Sequence, residues 1–313
     1  MTEPRKHAKY DALIFACHAL APVRTGVVHP CDEAALAGAL EAAAARIIKP
    51  VLIGPEAKIR AIAKAAKLDI EGIPLISVPH SHAAAEKAVQ MVREGAVEAL
   101  MKGSLHTDEL MAAVIAKDTG IRTQRRMSHV FIMDVPTYPK PLFITDAAIN
   151  IAPTLEDKVD IVQNAIELAH AMNIKEPKVA ILSAVETVTS KLPSTIDAAA
   201  LCKMAERGQI TGGILDGPLA FDNAISREAA ALKHITSSVA GDADILLVPD
   251  LESGNMLAKE LSFLADADAA GIVLGARVPI ILTSRADNLR TRMASCAVAA
   301  MYAHARRAAA RLA

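Results

Sequence analysis

Tryptophan is absent and aromatic residues make up only 3% of the 313 residues, so the chain has few π-faces on which single-stranded nucleic acid could stack. Charge points the same way. Lys and Arg together number 34 against 35 for Asp and Glu, and a net charge of -1 offers no footprint for nucleic acid or an anionic membrane. The four cysteines, Cys17, Cys31, Cys202 and Cys296, lie far apart with no paired spacing. That excludes a zinc ribbon or disulfide scaffold and leaves buried thiols. Apolar residues are plentiful at 52%, but charges and prolines break them into runs far short of the ~20 residues of a spanning helix. No apolar block of signal-peptide length follows the charged start at residues 1–10. A cytoplasmic globular protein of two domains is expected, without a nucleic-acid or membrane partner.

What the chain does have is a repeated strand and helix rhythm. Residues 24–29 read as a strand, and Asp32 or Glu33 opens an Ala-rich helix to about residue 47. The cycle continues with strands at 50–53, 74–78 and 98–101 and helices at 57–67, 83–93 and after His106. Such alternation implies a parallel sheet covered on both faces, with ligands at the carboxyl ends of its strands. The rhythm changes at residues 122–141. Two strands, 130–135 and 142–145, flank a proline-rich turn and read as an antiparallel pair that starts a second domain. Helix and strand units resume over 155–172, 179–182, 195–206, 212–215, 227–233 and 245–248. Apolar runs at 270–274 and 278–283 then lead into an Ala-rich helix over 287–311 that should return to the first domain. The expected fold class is therefore α/β, with mostly parallel sheets. The domain boundaries are 1–124 plus 272–313 for the first domain and 125–271 for the second, inserted one, with a ligand cleft between them.

The most informative stretch is 98–110, where an apolar strand ends at Lys102 and Gly103 and Ser104, His106, Thr107 and Asp108 open a helix. Glycine permits a tight turn, and N–H groups at a helix start attract anions. Lys102 would add a point charge and Ser104 and Thr107 hydroxyl donors, although Ser or Thr before a helix with an acid in its first turn is also an ordinary cap. Residues 280–292 repeat the pattern. Ser284 and Arg285 stand where a strand stops, with Asp287 in a cap-like place, and an Arg there can grip phosphate with two parallel bonds. Asp146 and Asn150, Asp216, Asp222 and Asn223, and Asp250, Gly254 and Asn255 also follow strands, in the company expected of ordinary turns. His80 and His82 have strand-like spacing but no adjoining carboxylate cluster, so no metal site is assigned. Arg125 and Arg126 fit either ligand phosphates or a solvated hinge.

Several ordered segments carry a resemblance: Met-Lys-Gly-Ser-Leu-His-Thr at 101–107, Arg-Met-Ser-His-Val-Phe at 126–131, Ile-Thr-Asp-Ala-Ala-Ile-Asn at 144–150, Asp-Gly-Pro-Leu-Ala-Phe-Asp-Asn-Ala at 216–224, Val-Pro-Asp-Leu-Glu-Ser-Gly-Asn-Met at 248–256 and Leu-Thr-Ser-Arg-Ala-Asp at 282–287. Over nearly its entire length the chain resembles the phosphate acetyltransferase and phosphate butyryltransferase family. The resemblance implies two α/β domains related to the isocitrate and isopropylmalate dehydrogenases. It also implies reversible transfer of a short acyl group between CoA and inorganic phosphate in a homodimer, with acyl-CoA, phosphate and acyl phosphate as substrates and no permanently bound cofactor.

Carried over residue by residue, the resemblance makes Arg285 the stabiliser of phosphate and carbonyl charge and Ser284 a hydrogen-bonding partner near the thiol or carbonyl. Lys102, Gly103, Ser104, His106 and Thr107 match the family's phosphate loop; Asn255 matches a further cleft position, and Ser128, Asp146 and Asn150 are substrate-binding candidates. Two positions depart from the acetyltransferase branch. Met111 stands where that branch has an Arg, and Thr291 where it has an acid proposed as base for the CoA thiol, leaving Asp287 or His106 as base. The Lys-Gly loop start is closer to the butyryl branch. Two other classes stay open: a nicotinamide-dependent dehydrogenase on the related fold, despite the lack of a clear Gly-x-Gly-x-x-Gly element, and a non-catalytic sensor of CoA or acyl phosphate.

Overall fold

A computed structural model describes residues 8–283 and 287–312, which fall into two compact units. One unit holds Tyr10–Arg125 and Ala270–Ala313; the other holds Arg126–Ala269 together with Lys9. In chain order the first comprises most of α1 (Ala8–Cys17), then β1 (Val23–Val28), α2 (Glu33–Ala44), β2 (Ile48–Gly54), α3 (Glu56–Ala65), β3 (Leu75–Ser77), α4 (Ser81–Arg93), β4 (Ala99–Lys102) and α5 (Thr107–Ile115). The second comprises β5 (Ser128–Asp134), β6 (Leu142–Thr145), α6 (Leu155–Ala171), β7 (Lys178–Leu182), α7 (Pro193–Glu206), β8 (Ile214–Leu219), α8 (Phe221–Ile225), α9 (Arg227–Leu232), β9 (Ile245–Leu247) and α10 (Leu251–Leu264). The chain then re-enters the first unit through β10 (Asp268–Leu274), β11 (Ile280–Ile281) and α11 (Leu289–Leu312).

In the first unit the strand order is β3-β2-β1-β4-β11-β10, parallel except for the antiparallel β10–β11 pair. Val27, Val28, Leu52, Ile53, Leu100 and Met101 are fully buried, as expected of strands covered on both faces. Helix α11 packs against α2, β4 and β11 through a buried run that includes Ala297, Val298 and Ala299. The sequence places the first strand at 24–29, whereas β1 ends at Val28; His29 leaves the strand with a left-handed φ of 54°.

In the second unit the order is β5-β6-β9-β7-β8, with β5 and β6 antiparallel and the others parallel. Met133, Ile144, Leu182, Leu219, Leu246 and Val248 form part of one buried cluster. Lys9 Nζ ties the start of α1 to this unit, donating to Val135 O at 2.6 Å and Tyr138 O at 2.7 Å beside Asp134. Helices α1 and α10 are absent from the sequence reading. Asp250 caps α10 by accepting from Ser253 N–H at 2.8 Å, so Gly254 and Asn255 lie on a helix rather than in a turn. Asp222 and Asn223 likewise lie on α8. No helix among the described residues is long and apolar enough to cross a membrane.

Candidate active site

Strands β1 and β4 are parallel neighbours, with Val28 in register with Lys102, so both chains leave the sheet at the same rim. Gly103 N–H donates to Val28 O and Ser104 N–H to His29 O, each at 2.9 Å. A Cβ on Gly103 would lie 2.4 Å from Val28 O and 2.5 Å from His29 O, so only glycine fits this approach of two backbones. Lys102 is buried, and its ammonium donates to Gly103 O at 3.3 Å and Leu105 O at 3.1 Å, beneath the turn it precedes. The Ser104 hydroxyl donates to His29 O at 2.9 Å and accepts from Cys31 N–H at 3.2 Å, with His29 Nδ1 at 3.1 Å. Both side chains thus help to hold the turn that the sequence singles out for phosphate.

Helix α5 starts at Thr107, directly after the exposed His106. Glu109 accepts from His106 N–H and from Ser81 Oγ, each at 3.1 Å, and lies 3.5 Å from His82 Nδ1. Burial opposes its charge, yet these bonds and the nearby imidazoles hold its carboxyl below the usual range. With Asp108 and Glu109 already complementing the positive end of the helix dipole, a bound anion would rely on the preceding turn more than on the helix axis. His80 Nδ1 accepts from Ala83 N–H and caps α4, a structural use for one of the two histidines.

Strand β11 is parallel to β4, with Ile281 in register with Met101, so Thr283 follows the strand at the same rim. Ser284 and Arg285 lie outside the described residues. Asn288, not Asp287, accepts from Thr291 N–H at 2.9 Å, which corrects the cap-like reading of Asp287. Thr291 is buried. The sequence reading also misses Arg292, a buried guanidinium that donates to Thr283 Oγ1 at 3.2 Å and fills the space beside Gly38, where a Cβ would fall 2.8 Å from Arg292 Cδ. Its place in a long Ala-rich helix carries no local signal of burial.

The remaining predicted residues belong to the second unit. Asp146 is buried and accepts from Ala148 N–H, Ile149 N–H and Asn150 N–H at 2.9 to 3.2 Å and from Asn150 Nδ2 at 2.5 Å. Burial pushes its carboxyl up, and the donors only partly offset this. Asn150 also donates to Met127 O at 2.8 Å and accepts from Arg126 Nε at 2.7 Å, orienting a half-exposed guanidinium. Asn255 donates to Ala147 O at 3.1 Å, while Gly254 leaves room for Asp146 O, which a Cβ would approach to 2.9 Å. Ser128 is fully buried and accepts from Asn164 Nδ2 at 2.9 Å, an interior role. Asp146, Asn150 and Asn255 are thus brought together, and Ser128 faces away from solvent.

A hollow of about 690 Å³ lies along α4 and α5 and is lined by residues that include His82, Glu86, Val89, Arg93 and Glu109. None of the predicted site residues that are described lines it. The strand-end rim, with its convergent polar groups, has the stronger chemical claim.

Comparison with known proteins bears on these groups. The family model described as phosphate acetyl/butaryl transferase matches residues 80–300. Phosphate acetyltransferase of Rhizobium meliloti is 68% identical over 98% of this chain and 97% of its own length. Phosphate butyryltransferase of Clostridium acetobutylicum is 42% identical over 87% of this chain and 90% of its own length. Among solved structures, a branched-chain phosphotransacylase from Enterococcus faecalis superposes with a TM-score of 0.78 at 29% identity, covering 90% of this chain and 99% of that one.

Proposed function

This chain belongs to the phosphate acetyl/butaryl transferase family, and on that premise we propose that it is a phosphate acetyltransferase, exchanging an acetyl group between CoA and inorganic phosphate. The observation that carries the site assignment is the closed turn at Gly103, which locks two strand ends together above the buried Lys102 ammonium. A rigid rim of this kind suits a reaction in which two bound substrates react directly, because proximity then supplies much of the acceleration. No acyl-enzyme is required. The thiolate of CoA attacks the carbonyl carbon of acetyl phosphate, and phosphate leaves.

Charge grows on the carbonyl oxygen and on phosphate during this step, and fixed donors stabilise it. Arg285 is assigned that role, with Ser284 hydrogen-bonding near the thiol or carbonyl. Lys102, Gly103, Ser104, His106 and Thr107 are assigned to the phosphate side, and Asp146, Asn150 and Asn255 to the substrate-binding part of the second unit; Ser128, fully buried, is left out of it. The thiol needs a proton acceptor, for which the sequence nominates Asp287 and His106. CoA is a substrate, no cofactor is held permanently, and the protein works as a cytoplasmic homodimer.

The test is to mix the protein with acetyl phosphate and CoA and follow thioester absorbance. Acetyl-CoA formation is expected, and no thioester from acetyl, propionyl or butyryl phosphate would refute the assignment. The Lys-Gly start of the loop and Met111 favour one further reading, a butyryl preference. A kcat/KM higher for butyryl than for acetyl phosphate would establish it, since one methylene is worth only ~1 to 3 kcal/mol in a pocket.

A further inference from the structure

We propose that His29, through its Nε2 nitrogen, is the base that takes the proton of the CoA thiol; this assignment rests on the acyl-transfer reading above. His29 sits where β1 ends and the Gly103 turn begins, and its backbone is held on every side. Its N–H donates to Ile53 O at 2.7 Å, and its carbonyl accepts from Cys31 N–H at 2.8 Å and Ser104 N–H at 2.9 Å. The imidazole is therefore carried on a fixed mount at the rim to which the phosphate chemistry is assigned.

The hydrogen bonds of Ser104 bear on which ring nitrogen is bare. A hydroxyl has one proton, and Ser104 directs it to His29 O at 2.9 Å. With that proton on His29 O, His29 Nδ1, which faces the same oxygen at 3.1 Å, takes the donor role in the proposed tautomer. In a neutral imidazole this leaves the lone pair on Nε2. Nε2 has no hydrogen-bond partner among the described residues, and the ring is only half-buried.

Burial, more than the charged groups around it, favours the neutral ring. Burial lowers the pKa of His29 first and Lys58 of α3 lowers it further, against the opposite pull of Glu109 in α5 and Asp32 at the start of α2. Cys31, the other titratable neighbour in this turn, has its thiol pushed up by burial and is uncharged at neutral pH. His106, in contrast, is exposed at the head of α5, and a threonine, Thr291, occupies the place where the resemblance expects an acid.

The step balances as an acyl transfer. Nε2 accepts the S–H proton while sulfur forms its bond to the carbonyl carbon. The carbon–oxygen bond to phosphate breaks, the electron pair leaves with phosphate, and the imidazolium returns its proton to that phosphate. In reverse, the imidazolium protonates the departing CoA thiolate.

The test is His29→Asn, assayed with acetyl phosphate and CoA across pH. Asn tolerates the left-handed backbone of this position, and its side-chain N–H can replace Nδ1–H toward Ser104. The variant is expected to fold, to keep KM for acetyl phosphate within about threefold, and to lose about 10²- to 10⁴-fold in kcat at pH 7. The deficit should shrink by about tenfold per pH unit toward pH ~8.5, as solvent supplies the thiolate. A kcat within about threefold of wild type, a loss that does not vary with pH, or the same pH-dependent loss found in His106→Asn or Asp287→Asn instead would overturn the assignment. Nitrogen NMR of the unmodified protein gives an independent reading. A protonated Nδ1 on His29 is expected, and a protonated Nε2 with bare Nδ1 would overturn it. Wild-type protein that forms no thioester would fail the acyl-transfer reading itself, whereas an unimpaired variant of an active enzyme fails only the role of His29.

Discussion

Replacing Gly103 by alanine tests whether the rim is as tightly closed as its geometry implies. The new Cβ would lie 2.4 Å from Val28 O and 2.5 Å from His29 O, and ordinary contact begins near 3.4 Å, so the turn must retreat by about 1 Å. Neither carbonyl can yield cheaply. Val28 O and His29 O accept the bonds from Gly103 N–H and Ser104 N–H that close the β1–β4 ladder. Overpacking costs about 1 to 3 kcal/mol and each of the two weakened hydrogen bonds about 1 more, so a destabilisation of about 3 to 5 kcal/mol is expected. At about 2 to 4 °C per kcal/mol for a unit of this size, Tm should fall by about 6 to 20 °C. Because the chain has no tryptophan, circular dichroism is the practical probe of melting. Turnover should fall more than stability predicts, by about 10²-fold or more, since a 1 Å displacement of substrate-positioning groups costs that much. A Gly103→Ala protein that melts within about 1 °C of wild type and turns over within about threefold would refute the argument.

Three further outcomes are expected. His129 is fully buried with Nδ1 unpartnered, and burial holds its pKa at about 3. The unfolded chain therefore takes up the proton first: stability is complete above pH ~6.5 and is lost as pH falls toward 3, with about 2 kcal/mol gone by pH 5. Melting curves at pH 7 and pH 5 should differ less for His129→Leu than for wild type, and equal differences would contradict this. Asn288→Ala removes the cap of α11 and should cost about 1 kcal/mol, seen as a Tm lower by about 2 to 4 °C; an unchanged Tm would return the capping role to another residue. Arg285→Ala should lose about 10²- to 10³-fold in kcat with an unchanged circular dichroism spectrum, and wild-type turnover in that folded variant would contradict its assignment to charge stabilisation.

Local physics explains which parts of this architecture could be read in advance. Strand and helix alternation was legible because buried parallel strands such as Val51 to Ile53 are short apolar runs and the helices carry Ala-rich or amphipathic repeats between them. The antiparallel β5–β6 pair was legible from two apolar runs flanking a proline-rich turn. Helix α10 was not, because Asp250, Gly254 and Asn255 are also what a turn uses. Gly254 serves a different end there: it opens space for Val248 and for the Asp146 carbonyl, a requirement set by packing. Arg292 was hidden in the same way, since burial of a charge on an Ala-rich helix depends on what lies opposite, here Thr283 and Gly38.

By itself the sequence determined the α/β class, the ordered segments that mark the family, and the turn at Lys102 to Thr107, all of which depend on residues close together in the chain. Tertiary structure alone decided what that turn touches. Pairing of β1 with β4 brings His29 and Ser104 together across 75 positions of sequence, so that a serine read as a phosphate donor also bonds the His29 carbonyl and faces its imidazole. The periodicity of a strand encodes that it is buried and not which strand lies beside it, so no local pattern could have named His29.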